Sequence, residues 1–215
     1  METGYDLMTI VKVAAHWKSE GSFPIQIHFA GAGSQSKKLK NFAARKGLLD
    51  QDASQLENEH LLQPNQFSQH PITGLEENRE PQKRRAGSVK ELPRVVFHGY
   101  LQQEAINTLL SFADIAIVPN RPESLVAVPY KAAEYAASGL PMISCLGGEF
   151  GELLAKFRAG SEYKEGNVES LRAAFRQYIE DPKLISEQSD GAFALAKELF
   201  DRKITYPSLV NFIAD

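Results

Sequence analysis

The sequence predicts an α/β fold in which a mostly parallel sheet is flanked by helices. Three observations support this prediction. Short apolar runs alternate along the chain with segments of helical period. Glycine and proline separate these segments. Residues 112–146 read in order as strand, loop, helix, sharp turn and strand. Parallel strands require a crossover of this kind, so a βαβ unit is expected there.

The βαβ unit is delimited by residues that end or begin regular structure. Residues 115–118 form an apolar β-branched run typical of a buried strand, and residues 142–145 form the second such run. Ligands bind at the carboxyl ends of parallel strands, which makes loop 119–128 and the helix after it the candidate site. The delimiting residues are Pro119 after the first strand, Pro129 at the first helical turn, Gly139 past the helix end and Pro141 before the second strand.

The other elements follow the same alternation of strand and helix. Ser34 and Asn167 are predicted N-caps of the helices that follow them. The helix over residues 103–112 is predicted to turn Ile106, Leu109 and Leu110 inward. Further helices are predicted over residues 6–20, 35–46, 149–157, 168–180, 183–200 and 204–214, and further strands over residues 25–30, 94–98 and 159–163.

Residues 50–91 break the pattern and are interpreted as a surface insertion within a single domain spanning residues 1–215. The segment is rich in Gln, Asn, Glu, Ser and Pro. Its apolar residues are too few to offset the entropy of ordering, so we expect disorder or short helical pieces. A basic run, Lys83-Arg84-Arg85, is suited to anionic lipid headgroups or a partner, and a solvated loop is the alternative.

Composition limits the classes of function. A net charge of −3 gives no bias toward nucleic acid, and no apolar run approaches the ~18 residues of a membrane span. The single cysteine, Cys145, excludes an internal disulfide and a multi-cysteine metal site. We interpret it as a small core residue. We expect a cytoplasmic protein with no metal, no cofactor and no nucleic-acid partner.

The pattern Ala-Asp-Ile…Pro…Val-Pro-x-Lys-x-x-Glu-Tyr-x-Ala-x-Gly-x-Pro-x-Ile, within residues 113–143, resembles the C-terminal, nucleotide-sugar-binding half of retaining GT-B glycosyltransferases (glycosyltransferase group 1, family 4). Residues 29–33, residues 95–99 and Gly147-Gly148 support the resemblance in the expected order. It covers most of the chain except about residues 48–92. It implies a Rossmann-like half of a GT-B fold that transfers a hexosyl group from a UDP-, GDP- or ADP-sugar with retention, in polysaccharide or glycolipid synthesis.

Two side chains of the predicted helix carry the expected donor chemistry. Glu134 can accept two hydroxyl hydrogens, and the resemblance implies that it binds the ribose diol. Lys131 is a candidate stabiliser of the diphosphate leaving group. The alternative is a surface glutamate paired with an exposed lysine. The remaining donor-binding candidates are Glu123, Ala127, Val128, Tyr130, Gly99, Tyr100, Gly147 and Gly148, with Arg121 as a weaker cation.

Some of these candidates have their own alternatives. Tyr100 is expected to stack on the nucleotide base or simply to pack in the core. Gly31 and Gly33 bring a phosphate to helix amides or form an ordinary strand-to-helix turn. No nucleophile or general base is assigned, because the resembled family takes its base from the N-terminal domain.

The sequence departs from the family at one position of the donor site. The family motif places a glutamate eight residues before Glu134, where this chain has Val126. Glu123 lies three residues earlier and reaches the hexose only if the loop bulges. The segment from Val128 to Lys131 resembles the Val-Pro-Ser-Lys subtype of the family. The departure therefore concerns the hexose contacts and not the family pattern as a whole.

The resembled half opens with a strand and an Arg- and Lys-bearing loop that this chain lacks. Residues 4–7 look like the start of the first helix, and Thr3 stands where Lys is common. That strand is central in a 3-2-1-4-5-6 order, so its neighbours would have free edges. We therefore expect a fragment, a split gene product or a subunit that needs an N-terminal acceptor-binding domain or subunit for turnover.

Two alternative functions remain open. One is a non-catalytic nucleotide-sugar-binding or assembly module that acts through a partner subunit. The other is a relative of sugar-nucleotide epimerases, although no acid/base set for that chemistry is visible in the sequence.

Overall fold

The computed structural model describes residues 4–21, 25–49 and 95–214. The predicted insertion at 50–91, with its basic run, lies outside the described residues, and so does Thr3. The helices are α1 (Leu7–Ser19), α2 (Gln35–Arg45), α3 (Gln103–Phe112), α4 (Tyr130–Ala137), α5 (Gly148–Phe157), α6 (Val168–Glu180), α7 (Lys183–Leu195) and α8 (Arg202–Ala214). The strands are β1 (Ile27–Ala30), β2 (Val95–Gly99), β3 (Ala116–Val118), β4 (Met142–Ser144) and β5 (Gly160–Glu162). None of the helices in these ranges is both long enough and apolar enough to cross a bilayer.

The strands form two parallel sheets, in agreement with the expectation that the neighbours of the central strand position have free edges. β1 pairs with β2, and β4 lies between β3 and β5. In the predicted order 3-2-1-4-5-6, strands 2 and 4 correspond to β1 and β3, and the hydrogen bonding stops between these two. The reason is that no strand within the described ranges pairs with the second edge of either one.

Two apolar clusters hold the helices on the sheets. The first packs α1, α2 and α6 against side chains from both sheets, including Ile27, Val95 and Ile143. The second packs α4, α5 and α7 against β3 and β4. All three residues of β4 have 0% exposure. The three-stranded sheet is therefore covered on both faces at its central strand, as expected of a parallel sheet between helices.

Two helix predictions about side-chain packing need correction. α3 has no fully buried residue, and Ile106, Leu109 and Leu110 are only half-buried. The reason is that α3 reaches the second cluster only through Leu110, with Ala113 just beyond its end. Ser34 does not cap α2, because its own dihedrals are helical and its side chain makes no capping hydrogen bond. Asn167 does cap α6, since its Oδ1 accepts from the Ser170 N–H at 2.9 Å.

The C-terminal helices also differ from the predicted boundaries. The helix predicted over 183–200 ends at Leu195, and a π-helical turn follows over Ala196–Phe200. α8 begins at Arg202, two residues earlier than predicted. Asp201 caps the N-terminus of α8, because its Oδ1 accepts a hydrogen bond from the Lys203 N–H at 2.9 Å.

Candidate functional site

The predicted βαβ unit is present as β3, α4 and β4. β3 and β4 are parallel, with Ala116 opposite Met142 and Val118 opposite Ser144, each within one residue of the predicted bounds. Pro129 immediately precedes α4, and Gly139 follows its end with φ +66°. A side chain at Gly139 would meet the ring of Phe193 on α7. The unit therefore places the first turn of α4 at the carboxyl end of β3.

Asp6 joins the carboxyl ends of β3 and β5 to the start of α1. Its side chain is 2% exposed and accepts hydrogen bonds from Thr9 Oγ1 at 2.7 Å, Gly166 N–H at 2.8 Å and Tyr163 Oη at 3.4 Å. Its backbone N–H donates to the carbonyl of Pro119 at 2.8 Å. The sequence analysis did not single out Asp6 as a site residue, although an aspartate before a helix is an N-terminal signal.

Cys145 is a buried structural residue of the same edge, as predicted. Its Sγ donates to the carbonyl of Asn120 at 3.3 Å. Burial raises the pKa of Cys145 to about 11, against a smaller lowering by its hydrogen bond with Tyr163. Burial likewise raises the pKa of Tyr163. The thiol is therefore neutral at physiological pH and is not an activated nucleophile.

Lys131 and Glu134 lie on the first two turns of α4 without making the alternative ion pair. Lys131 is exposed and Glu134 is half-buried. In the part of the chain that the structure describes, neither side chain has a hydrogen bond or an ion pair. Burial raises the pKa of the neighbouring Tyr135, with smaller contributions from Glu134 and Tyr5. Tyr5 forms a bridge with Asn120, which places this face of α4 near the end of β3.

The loop before α4 exposes apolar side chains. Glu123 is exposed within the 3-10 turn Pro122–Ser124. Leu125 follows in the left-handed conformation with φ +54° and is 99% exposed, a backbone state that costs on the order of 1 kcal/mol. Val126 and Ala127 are exposed, and Val128 packs against the second cluster. The geometry places Glu123 and Val126 on the same protruding loop.

Two aromatic candidates for the donor site are exposed, and the cationic candidate Arg121 is ion-paired. Tyr100 and Tyr130 are 76% and 75% exposed, so the alternative that Tyr100 packs in the core is wrong. Arg121 forms an ion pair with Glu165, with Nε 3.2 Å from Oε1. The weaker cation candidate is therefore already partly neutralised by its own chain.

The predicted glycines occupy turns at the strand ends. Gly99 ends β2 with φ +69°, and its carbonyl accepts from the Gly31 N–H at 2.6 Å. Gly147 and Gly148 have φ values of +68° and +54° at the start of α5. A Cβ on Gly148 would meet open space, so the backbone there is accessible from outside.

Glu162 lies over the first turn of α5, next to Gly147. A side chain at Gly151 would collide with the Glu162 carboxylate, so this glycine is what lets the carboxylate approach. A carboxylate near a helix N-terminus is stabilised by the helix dipole. No signal in the sequence pairs these residues, because the contact depends on the packing of β5 against α5.

Two histidines form a stacked pair on the β1–β2 sheet that the sequence analysis did not predict. His28 Nδ1 lies 2.8 Å from His98 Nε2, and the rings are 11° from parallel. His28 Nε2 also lies 2.9 Å from Gln26 Oε1. Burial lowers the pKa of both histidines, and the charge of His98 adds to the lowering at His28. Among the described residues, no group of three or more possible metal ligands is found.

Comparisons with known proteins identify the family. Residues 59–181, more than half of the chain, match the family described as glycosyl transferases group 1. The match starts within the segment that the sequence analysis set aside as an insertion. The comparison with curated proteins found no match.

Three solved structures share the fold. Anabaena HepE in complex with UDP matches with a TM-score of 0.61 and 15% identity, over 96% of this chain and 44% of that chain. HepE with UDP-glucose matches with a TM-score of 0.62 and 16% identity, over 100% of this chain and 46% of that chain. The sucrose-phosphate synthase of Thermosynechococcus elongatus matches with a TM-score of 0.63 and 14% identity, over 100% of this chain and 44% of that chain. The chain spans less than half the length of each. Its α/β architecture, with parallel sheets flanked by helices, therefore corresponds to one part of the GT-B glycosyltransferase structures. Together with the sequence match, this shows that the chain belongs to the glycosyl transferases group 1 family.

Proposed function

We propose that this chain is the donor-binding domain of a glycosyltransferase that transfers a hexosyl group from a nucleotide-diphosphate sugar with retention, in polysaccharide or glycolipid synthesis. The observation that carries the proposal is the placement of Lys131 and Glu134. Both lie on α4 at the carboxyl end of β3, and neither has a partner among the described residues. Family membership and the UDP complexes of HepE support this assignment.

Each residue has a distinct role in the proposal. The Glu134 carboxylate accepts hydrogen bonds from the two ribose hydroxyls. The Lys131 ammonium neutralises the charge that develops on the diphosphate as the glycosyl bond breaks. Tyr100 and Tyr130 are exposed enough for contact with the base or the sugar. Gly99, Gly147 and Gly148 allow close backbone approach, and Glu123, Ala127 and Val128 border the sugar.

Calorimetry with UDP, uridine and UDP-, GDP- and ADP-sugars tests this assignment. We expect Glu134→Gln to weaken binding of both UDP and uridine by about tenfold to a hundredfold, because charge-assisted hydrogen bonds are lost. Lys131→Gln is expected to weaken UDP binding while leaving uridine binding unchanged, because uridine has no phosphate.

Glu180→Gln is the matched control, since it makes the same charge change on the exposed end of α6. The control should bind every ligand as the unmodified chain does. Absence of nucleotide binding, or binding that Glu134→Gln does not weaken, would contradict the proposed site.

A second candidate is a non-catalytic nucleotide-sugar-binding or assembly module. It is favoured by Val126, which stands where the family motif has a glutamate. Nucleotide-sugar binding without turnover, even after the partner domain is supplied, would support this candidate.

The proposal includes a partner and a location. An N-terminal acceptor-binding domain or subunit completes the active site, so the 215-residue chain alone should not turn over substrate. Measurable glycosyl transfer by the purified chain would refute this requirement. We place the protein in the cytoplasm, with peripheral contact at the inner face of the membrane. An unpaired cysteine is compatible with a reducing compartment.

A further inference from the structure

The helices α1 and α2 carry cations and no acids within their own sequences. Their sequences, LMTIVKVAAHWKS and QSKKLKNFAAR, contain no aspartate or glutamate. The whole chain has a net charge of −3, so these two helices differ in sign from the molecule as a whole. We define the basic surface as Lys12, Lys18, Lys37, Lys38, Lys40, Arg45 and Lys46.

Five of these cations are exposed and have no ion-pair partner among the described residues. Lys18 donates to the carbonyl of Gly47, and Lys46 lies 6.0 Å from the ring centre of Phe42. The others make no ion pair within the ranges that the structure describes. By contrast, Arg172 on α6 is paired, because it contacts Glu20 and Glu169. The five are Lys12, Lys37, Lys38, Lys40 and Arg45.

The cations border two adjoining open grooves. One groove, of about 560 Å³, lies between α1 and α2 and is lined by Lys12, Lys18 and Lys46. The other, of about 700 Å³, runs along α2 and is lined by Lys37, Lys38 and Arg45. Lys40 lies next to Lys37 on the solvent side of α2. The basic surface therefore follows the exposed sides of α2 and extends onto α1 through the groove between the two helices.

The basic surface lacks the apolar groups that other partners require. None of the exposed large apolar side chains of the described chain lies on α1 or α2. A stable protein interface needs buried aromatic or aliphatic anchors at its centre. Single-stranded nucleic acid needs stacking platforms, and the aromatic ring that lines the grooves, Phe42, is half-buried. Binding to a layer of anionic lipid headgroups requires only electrostatic attraction by clustered Lys and Arg side chains.

We propose that the basic surface of α1 and α2 docks onto an anionic phospholipid membrane. This docking rests on the proposed function, in which the protein lies at the inner face of the membrane. α2 begins next to the carboxyl end of β1, so docking through this surface keeps the strand ends near the membrane. An acceptor held in the bilayer would then lie close to the donor site.

Vesicle binding by the full chain tests the proposal. One set of vesicles contains phosphatidylcholine alone, and the other an equal mixture of phosphatidylcholine and phosphatidylserine. We expect binding to the mixed vesicles only, and we expect it to weaken as salt screens the charges. Each lysine near an anionic surface contributes about fivefold to binding, so a triple variant with Lys37→Gln, Lys38→Gln and Lys40→Gln should lose about a hundredfold.

The matched control is the triple variant with Lys183→Gln, Lys197→Gln and Lys203→Gln. It makes the same charge change at exposed positions outside the basic surface. It should bind vesicles as the unmodified chain does. Circular dichroism confirms that both variants are folded, and glutamine preserves helix propensity.

Two outcomes would overturn the docking proposal: no binding to mixed vesicles, whether or not duplex DNA is bound, or equal losses in the two triple variants. The same variants are titrated with UDP to separate the two proposals. If the chain binds vesicles but no nucleotide, membrane docking through the basic surface is supported and the proposed donor-binding function is contradicted.

Discussion

At the scale of single residues, Asp6 has the most consequential position at the carboxyl ends of the strands. It is nearly fully buried, and it accepts hydrogen bonds from three groups on α1 and the segment after β5. Buried polar groups that are fully paired specify one arrangement of their neighbours. Asp6 therefore holds the strand ends in place next to α4, where the donor is proposed to bind.

Cys145 is expected to be unreactive in the folded protein. Its side chain is 5% exposed, and its pKa is raised to about 11, so very little thiolate exists near pH 7.5. We expect Ellman's reagent to leave the native protein unlabelled for hours and to label one thiol per chain in denaturant. Rapid stoichiometric labelling of the native protein would show that the thiol is accessible.

The His28–His98 pair is expected to make stability depend on pH. Both folded-state pKa values lie below the ordinary 6.5, so the unfolded chain binds protons first as the pH falls. The free energy of unfolding should therefore decrease as the pH drops below about 6.5, until the folded-state pKa values are passed.

Urea unfolding at pH 7.5 and at successively lower pH values measures this dependence. The double variant His28→Gln, His98→Gln should show a smaller decrease between pH 6.5 and 5. His16→Gln on α1 is the control and should keep the decrease. An unchanged pH dependence in the double variant would exclude the pair as its source.

At the scale of elements, the contact between α5 and α7 depends on a glycine. A side chain at Gly191 would collide with the carbonyls of Phe157 and Arg158 at the end of α5. These are backbone atoms, so the helices must separate to make room. We expect Gly191→Ala to lower the free energy of unfolding by about 1–3 kcal/mol, despite the higher helix propensity of alanine.

Asp190→Ala is the neighbouring control on α7. Asp190 is exposed, so its loss should change stability by no more than about 0.5 kcal/mol. Both variants are compared by urea denaturation. A stabilised Gly191→Ala protein would show that α7 tolerates a shift away from α5.

At the scale of the whole molecule, the two sheets differ in how completely they are covered. β4 is buried on both faces and paired on both edges. Among the described residues β1 pairs on one edge, and Ile27 is its one fully buried residue. We expect amide hydrogen exchange to be slower in β4 than in β1 and β2, because exchange by local opening is easier where less surface is buried. Equal protection of the two sheets would mean that they open as one unit.

Local signals explain why much of the fold was predictable. Pro129, Gly139 and Pro141 act on the backbone next to them, so the β3–α4–β4 unit was located within one residue. The candidates Lys131 and Glu134 followed from the same unit and from the family pattern. The burial of α3 was overestimated, because a helical period shows which face is apolar but not whether another element covers it.

By itself, the sequence determined the α/β class, the order of the elements and the family resemblance, because these depend on residue types at short spacing. Only the tertiary structure decided that one apolar cluster takes side chains from both sheets, that Asp6 joins α1 to the strand ends and that the cations of α1 and α2 border two grooves. Each of these depends on contacts between residues far apart in the chain, and no local pattern records such contacts.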